Sequence, residues 1–128
     1  MSDTLTIIHD VSVLVCESDG EKLKSERDAL DLIGEAMQQG AELVVVPVER
    51  LEGDFFQLKT RLAGQIVQKF VMYRRRLVIL GDITGYEAQS HAFKDFVYEA
   101  NRGNHMWFLT TLQELDERLN RIEKGGIQ

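Results

Sequence analysis

The chain has 128 residues, with 21 acidic and 15 basic side chains and a formal net charge of -6. This charge repels phosphate backbones and anionic lipid, so the sequence predicts neither nucleic acid nor a membrane as a partner. A single cysteine excludes an intrachain disulfide, and no signal peptide or bilayer-spanning apolar run is seen, which together predict a cytoplasmic protein.

The first elements are predicted to be a β-hairpin followed by a helix. Leu5–Ile8 and Val11–Cys16 are rich in β-branched residues and flank two polar residues, a pattern typical of two strands joined by a tight turn. After Ser25, apolar residues recur at helical spacing, and an aspartate three positions later completes an approximate capping box. Gly40 predicts the end of this helix through a left-handed cap.

The middle of the chain predicts two buried strands around a long helix. Leu43–Val48 is a continuous apolar run, typical of a strand covered on both faces, and its Pro47 indicates that the last residues leave the sheet. The apolar pattern over Leu58–Val71 predicts the longest amphipathic helix of the chain. Arg74–Arg76 are then expected at its C-terminus, where cations complement the helix dipole, and Leu77–Leu80 predicts the next strand.

The last elements are predicted to be helix, strand and helix. The apolar spacing within Phe93–Ala100 predicts a helix that Gly103 ends in a left-handed cap. Met106–Leu109 predicts a further strand. A capping box that begins at Thr111 opens a closing helix, which runs to a pair of glycines near the end of the chain.

The resulting element order is ββαβαβαβα. Helix-length connections between buried strands imply parallel neighbours, while the initial hairpin adds an antiparallel pair. The sequence therefore predicts an α/β fold with a five-stranded mixed sheet, and a flavodoxin-like open sheet is the alternative. Because there is no internal repeat or linker-like segment, a single domain over residues 1–128 is expected.

Two segments carry a resemblance to a known family. The stretch DFFQLKTRLAGQIVQKFVMYRRRLVILGD, from Asp54 to Asp82, and the later DFVYEANRG resemble the bacterial family called domain of unknown function 4180. The resemblance covers nearly the whole chain and implies no activity. The element order is also similar to the STAS-like fold of anti-sigma-factor antagonists, which implies a regulatory module. In those proteins a serine or threonine in a DSSG-like motif is phosphorylated; the matching segment here has no serine, so only Thr60 could take that role.

Common catalytic signatures are missing from the sequence. There is no phosphate-binding loop, no GxGxxG after a strand, no HExxH and no CxxC, and the three histidines are too scattered to suggest a metal site. Cys16 lies in a predicted strand with no neighbouring base to activate it. We therefore predict no metal, no cofactor and no catalytic residue, and whether the chain is an enzyme stays open, with a non-catalytic role favoured.

One region is nevertheless a candidate binding pocket, because ligands in open α/β sheets bind beyond the carboxyl ends of the strands. Lys59 and Arg61, beside Thr60 at a predicted helix start, could hold an anion, although solvated surface charges and a helix cap are the favoured explanation. Asp82 lies at a strand end, where either catalysis or capping would suit a carboxylate. The candidate pocket residues are Asp54, Lys59, Thr60, Arg61, Asp82, Thr84 and Tyr86.

Two functions follow as hypotheses. The first is a non-catalytic regulatory or protein-interaction module with a STAS-like fold, which acts on a protein partner or forms a homodimer. Clustered exposure among Tyr73, Tyr86, Tyr98 and Trp107 would mark its interface, since aromatic residues are enriched in interface cores. The alternative is a small-molecule or anion-binding protein, or a small enzyme, that uses the pocket at the strand carboxyl ends.

Overall fold

The computed structural model describes residues 3–126 and has five strands in one sheet with helices on both faces. The chain alternates strands and helices after an initial hairpin, as the sequence predicts. The strands are β1 (Thr4–Ile8), β2 (Val11–Val15), β3 (Leu43–Pro47), β4 (Arg76–Leu80) and β5 (Met106–Leu109), and the helices are α1 (Glu26–Gln39), α2 (Leu62–Met72), α3 (Thr84–Gln89), α4 (His91–Arg102) and α5 (Leu112–Gly126).

Local sequence signals account for the first three elements. The two turn residues of the hairpin, His9 and Asp10, both adopt positive φ angles, 48° and 65°, which match the right-handed twist of the flanking strands. Ser25 caps α1 by accepting a hydrogen bond from the amide of Asp28 at 3.3 Å. Gly40 ends the helix in the left-handed region at φ 77°. The predicted hairpin, capping box and helix end are all confirmed.

The five strands lie in the sheet in the same order as in the chain, from β1 to β5. β1 pairs antiparallel with β2, and every later neighbour is parallel. The predicted mixed sheet is therefore confirmed. The flavodoxin-like alternative is wrong, because that fold reverses its strand order within the sheet and this one does not.

The strand order also explains how the helices are distributed. Three right-handed crossovers that step in one direction put their helices on one face of the sheet. Accordingly α1, α2 and α4 supply the larger apolar cluster, with Ile33, Phe70 and Phe93 among its buried side chains. Residues of α5, Leu115 and Leu119, pack on the opposite face and form a smaller cluster with the other side of the strands.

Two helix boundaries differ from those predicted. The helix expected over Leu58–Val71 begins only at Leu62, because Arg61 adopts a left-handed φ of 68° and separates α2 from two short 3-10 turns, Gly53–Phe56 and Leu58–Thr60. The left-handed cap expected at Gly103 is wrong, since its φ is -95° in extended backbone.

Smaller differences concern strand ends and one added helix. Pro47 still pairs with Leu80 as the last residue of β3, and the chain leaves the sheet only at Val48. Of the three arginines expected at the end of α2, Arg76 belongs instead to β4. The short helix α3 was not predicted, because its sequence TGYEAQ has no apolar periodicity.

Candidate functional site

A cavity of ≈ 500 Å³ lies where the segment after β3 meets the connection between α3 and α4. The two 3-10 turns form one side of it, and the end of α3 with the start of α4 forms the other. Its lining residues are Gly53, Phe56, Gln57, Leu58, Lys59, Tyr86, Gln89, Ser90 and Ala92.

Stacked aromatic rings form a rigid wall of this cavity. The rings of Phe56 and Tyr86 are parallel to within 6° with centroids 3.6 Å apart. Phe56 is buried and also meets Phe93 edge to face at 5.4 Å. Since Phe93 belongs to the main core, the core fixes Phe56, which in turn holds the partly exposed ring of Tyr86.

Lys59 is the one basic residue in the lining, which contains no acidic residue. Its neighbour Thr60 is turned into the chain, where its hydroxyl lies 2.7 Å from the carbonyl oxygen of Asp54 and 2.8 Å from that of Gln57, both acceptors. The same hydroxyl accepts a hydrogen bond from the amide of Leu62 at 3.3 Å. Thr60 therefore ties the turns to the start of α2, while Lys59 faces the cavity.

Asp82 and Thr84 form a turn before α3 and do not line the cavity. One carboxylate oxygen of Asp82 accepts hydrogen bonds from the amide and the hydroxyl of Thr84, at 2.9 and 2.7 Å. These bonds stabilise the ionised form, the amide bond contributing most, and so lower the pKa of Asp82 below its ordinary value. These two bonds hold the turn that leads into α3.

The structure thus brings two of the predicted pocket residues together, Lys59 and Tyr86. Asp54, Thr60 and Arg61 lie on the same connection outside the lining, and Asp82 and Thr84 lie on the next one. Sequence reasoning missed Phe56, Gln57, Gln89 and Ser90. The adjacent pair of phenylalanines in a polar connection was a signal that could have pointed to Phe56.

A second cavity, of ≈ 350 Å³, lies between α1 and the loop after β2. Carboxylates of Asp28, Asp31 and Glu35 line it, and buried Arg50 closes it. The guanidinium of Arg50 donates hydrogen bonds to the carbonyl oxygens of Glu17 and Glu21. Its role is to hold that loop against the core.

Other potentially reactive groups are also held by neighbours. Cys16 is buried, His9 lies 2.6 Å from Asp116, and His91 pairs with the aspartate one helical turn later. Among the side chains that the structure describes, no group of three or more histidine, cysteine, aspartate or glutamate residues is arranged so that it could hold a metal ion. Along the described part of the chain, no helix is long and apolar enough to cross a membrane.

The two edges of the sheet are unequal: within residues 3–126, no strand lies on the outer side of β1. The carbonyl of Ser12 accepts a hydrogen bond on the β3 side. Because the backbone groups of successive residues in a strand point to opposite sides, those of Val13 point to β1. Val13 pairs with Thr6, which therefore faces β2. By alternation, Leu5 and Ile7 turn their backbone donors and acceptors to the open edge.

The side chains of this edge are apolar and exposed. Leu5 pairs with Leu14, whose side chain belongs to the larger core cluster, so Leu5 and Ile7 lie on the α1 side of the sheet. They are 42% and 68% exposed, and Ile7 is the most exposed of the large apolar residues in the described part of the chain.

At the opposite edge, a side chain blocks β5 at Phe108. The carbonyls of His105 and Leu109 accept hydrogen bonds from the β4 side, so Phe108 between them turns its backbone outward. There the side-chain oxygen of Asn101 accepts from the amide of Phe108 at 2.7 Å, and its nitrogen donates to the Phe108 carbonyl at 3.3 Å. Arg118 donates to the backbone carbonyl of Asn101 and fixes it in place.

Comparison with known proteins gives one match. A family model described as Domain of unknown function (DUF4180) matches residues 8–119. No curated protein and no solved structure matches the chain. The matched range includes Lys59, Tyr86 and Asn101, and it begins at the last residue of β1.

Proposed function

We propose that this chain, which belongs to the DUF4180 family, is a non-catalytic interaction module. It pairs with a second copy of itself through β1. The observation that carries the proposal is the open β1 edge with its exposed Leu5 and Ile7. A regulatory role and a STAS-like architecture belong to the same proposal. Strand order that follows chain order, with three helices grouped on one face, supports that architecture.

The edge is complementary to itself. Two β1 strands can pair antiparallel with their Thr6 residues opposite each other. Leu5 of each copy then lies opposite Ile7 of the other copy. Leu5 and Ile7 are the residues whose backbone groups face outward, so each such pair can exchange two backbone hydrogen bonds. The same pairing covers the apolar side chains of both residues, which gains the free energy of removing them from water.

Nothing in β1 protects the edge against pairing. Soluble proteins shield open strands with lysine, proline, bulges or a covering segment. The sequence of β1, TLTII, has neither a charge nor a proline, and each of its residues is paired in register with β2. Recognition by strand addition is therefore available here, with main-chain bonds giving affinity and the two apolar side chains giving register.

Sedimentation velocity over a micromolar to millimolar range tests the proposal. We expect the wild-type chain to show a monomer and dimer in concentration-dependent exchange, and Ile7→Lys to be monomeric throughout. Tyr98→Lys is the matched control, because Tyr98 is 62% exposed but lies on α4, and it should dimerise like wild type. Circular dichroism melts establish that both variants fold.

A wild-type chain that stays monomeric at millimolar concentration would refute the proposal. So would a dimer that Tyr98→Lys disrupts and Ile7→Lys leaves intact. Amide hydrogen exchange locates the contact: the amides of Leu5 and Ile7 should gain protection as concentration rises, and they should stay unprotected in Ile7→Lys.

A further inference from the structure

We propose that the cavity bounded by Phe56, Lys59 and Tyr86 binds a small planar aromatic carboxylate. This inference goes beyond the pairing of two copies, because none of the lining residues lies on β1. It rests on three features of the cavity, which are an aromatic wall, a positive charge without an opposing carboxylate, and a suitable volume.

The aromatic wall selects for a flat, apolar ligand body. Tyr86 is 37% exposed although its ring is fixed by stacking on Phe56. A ring already packed on a buried neighbour loses less conformational freedom when a ligand stacks on it than a fully solvated ring would, which lowers the entropic cost of binding. Leu58 and Ala92 add further apolar surface to the lining.

The charges around the cavity select for an anion. Lys59 has no ion-pair partner among the described residues, and no aspartate or glutamate lines the cavity. Ser90 and Ala92 place the N-terminus of α4, a helix of 12 residues, in the wall, and its dipole also favours negative charge. Both features attract a carboxylate and would repel an amine.

The size of the cavity separates an organic acid from a simple inorganic ion. Ligand sites for small organic molecules typically have volumes of several hundred Å³, and this cavity of ≈ 500 Å³ lies in that range. The amides of Gln57 and Gln89 can donate or accept hydrogen bonds at its rim. Inorganic phosphate would leave most of the apolar lining uncovered.

Isothermal titration calorimetry with naphthoate and its uncharged analogue naphthamide tests the charge and the stacking separately. We expect naphthoate to bind at one site per chain, about tenfold more tightly than naphthamide, which is the worth of one charge-assisted contact. Lys59→Met should weaken naphthoate by about tenfold and leave naphthamide unchanged, because it removes the charge and keeps the side-chain length. Tyr86→Ala should weaken both ligands.

Lys94→Met is the matched control, since Lys94 is an exposed lysine of α4 outside the lining, and it should bind like wild type. Amide chemical shifts of Gln89 and Ser90 should move on titration with naphthoate in every variant that binds. The inference is wrong if neither ligand binds, if the shifts that move lie elsewhere, if Lys59→Met has no effect, or if inorganic phosphate binds as tightly as naphthoate.

Discussion

Cys16 illustrates how the environment of a single side chain decides its chemistry. Burial is the main reason that the pKa of its thiol rises from an ordinary value of 9.0 to about 12, and the nearby carboxylate of Asp3 adds to the rise. The thiolate is the nucleophilic form of cysteine, so a thiol that stays protonated at neutral pH is unreactive. Cys16 directly follows the end of β2, but its protonated thiol does not make it a catalytic group there.

The raised pKa predicts how stability depends on alkaline pH. Below pH 9 the thiol is protonated in both states, and between 9.0 and about 12 the unfolded chain ionises while the folded chain does not. The Cys16 contribution to the free energy of unfolding is thus full below pH 9 and is lost as pH rises through that window. Denaturant titrations across the window should show wild type losing more stability than Cys16→Val. Equal losses in the two proteins would contradict the assignment.

At this scale, Lys59 and Tyr86 could be predicted as neighbours because the ends of adjacent parallel strands meet at one edge of the sheet. Gln89 could not, since its position depends on α3, which no periodic pattern marks. The sequence could also not separate the inward Thr60 from the outward Lys59. The orientation of Thr60 is set by hydrogen bonds from its hydroxyl to the carbonyls of Asp54 and Gln57.

Among the elements, α4 has a role beyond covering the core. Its last turn carries Asn101, whose side-chain amide pairs with the backbone of β5 as a further strand would. The adjacent Trp107 donates from its indole nitrogen to the carbonyl of Gly103 at 2.8 Å, and the guanidinium of Arg118 lies over its ring at 4.5 Å. The end of α4, β5 and α5 are thereby joined.

Asn101→Ala should lower the free energy of unfolding by about 1–3 kcal/mol, because it leaves the amide and carbonyl of Phe108 without their partners. Chemical denaturation measures the loss, and hydrogen exchange should show the Phe108 amide exchanging faster. Asn104→Ala is the control, since Asn104 is exposed in the loop after α4 and its replacement should change stability little. If the two variants were equally stable, the side chain of Asn101 would not be closing the edge.

Most elements were predictable from local patterns, and the misses have local causes. The spacing of apolar residues predicts the strands and the long helices, and caps such as Ser25 and Gly40 predict where a helix begins and ends. The start of α2 was missed because the apolar Leu58 falls in helical phase, whereas Arg61 in the left-handed region breaks the helix. A left-handed cap was predicted at Gly103 because glycine permits that conformation, but the chain is extended there.

For the molecule as a whole, the winding of the sheet leaves its two faces unequally covered. One face has three helices, and the other, within residues 3–126, is covered by α5. The sequence could predict that helices connect parallel strands, but strand order depends on contacts between distant residues that local patterns do not encode. It is strand order that decides which face each helix covers.

This asymmetry predicts unequal costs for changes on α5. Leu115 is fully buried against the sheet, and Leu115→Ala should lower the free energy of unfolding by about 2–5 kcal/mol, as is usual when a core leucine is truncated. Leu112→Ala, one turn earlier at a residue that is 42% exposed, should cost much less. Thermal and denaturant unfolding of the pair make the measurement. Similar losses for both would mean that α5 does not pack as described.

The closed β5 edge also limits how far copies of this chain can assemble. A subunit with open strands at both sides of its sheet can add neighbours without end and grow into a filament. A subunit with one open strand can make only an isologous contact, and a two-fold axis through that contact uses up the open edge of both copies. Asn101 would then limit assembly to a dimer. Removing its side chain would free the β5 edge, and the subunits could polymerise through both edges of the sheet.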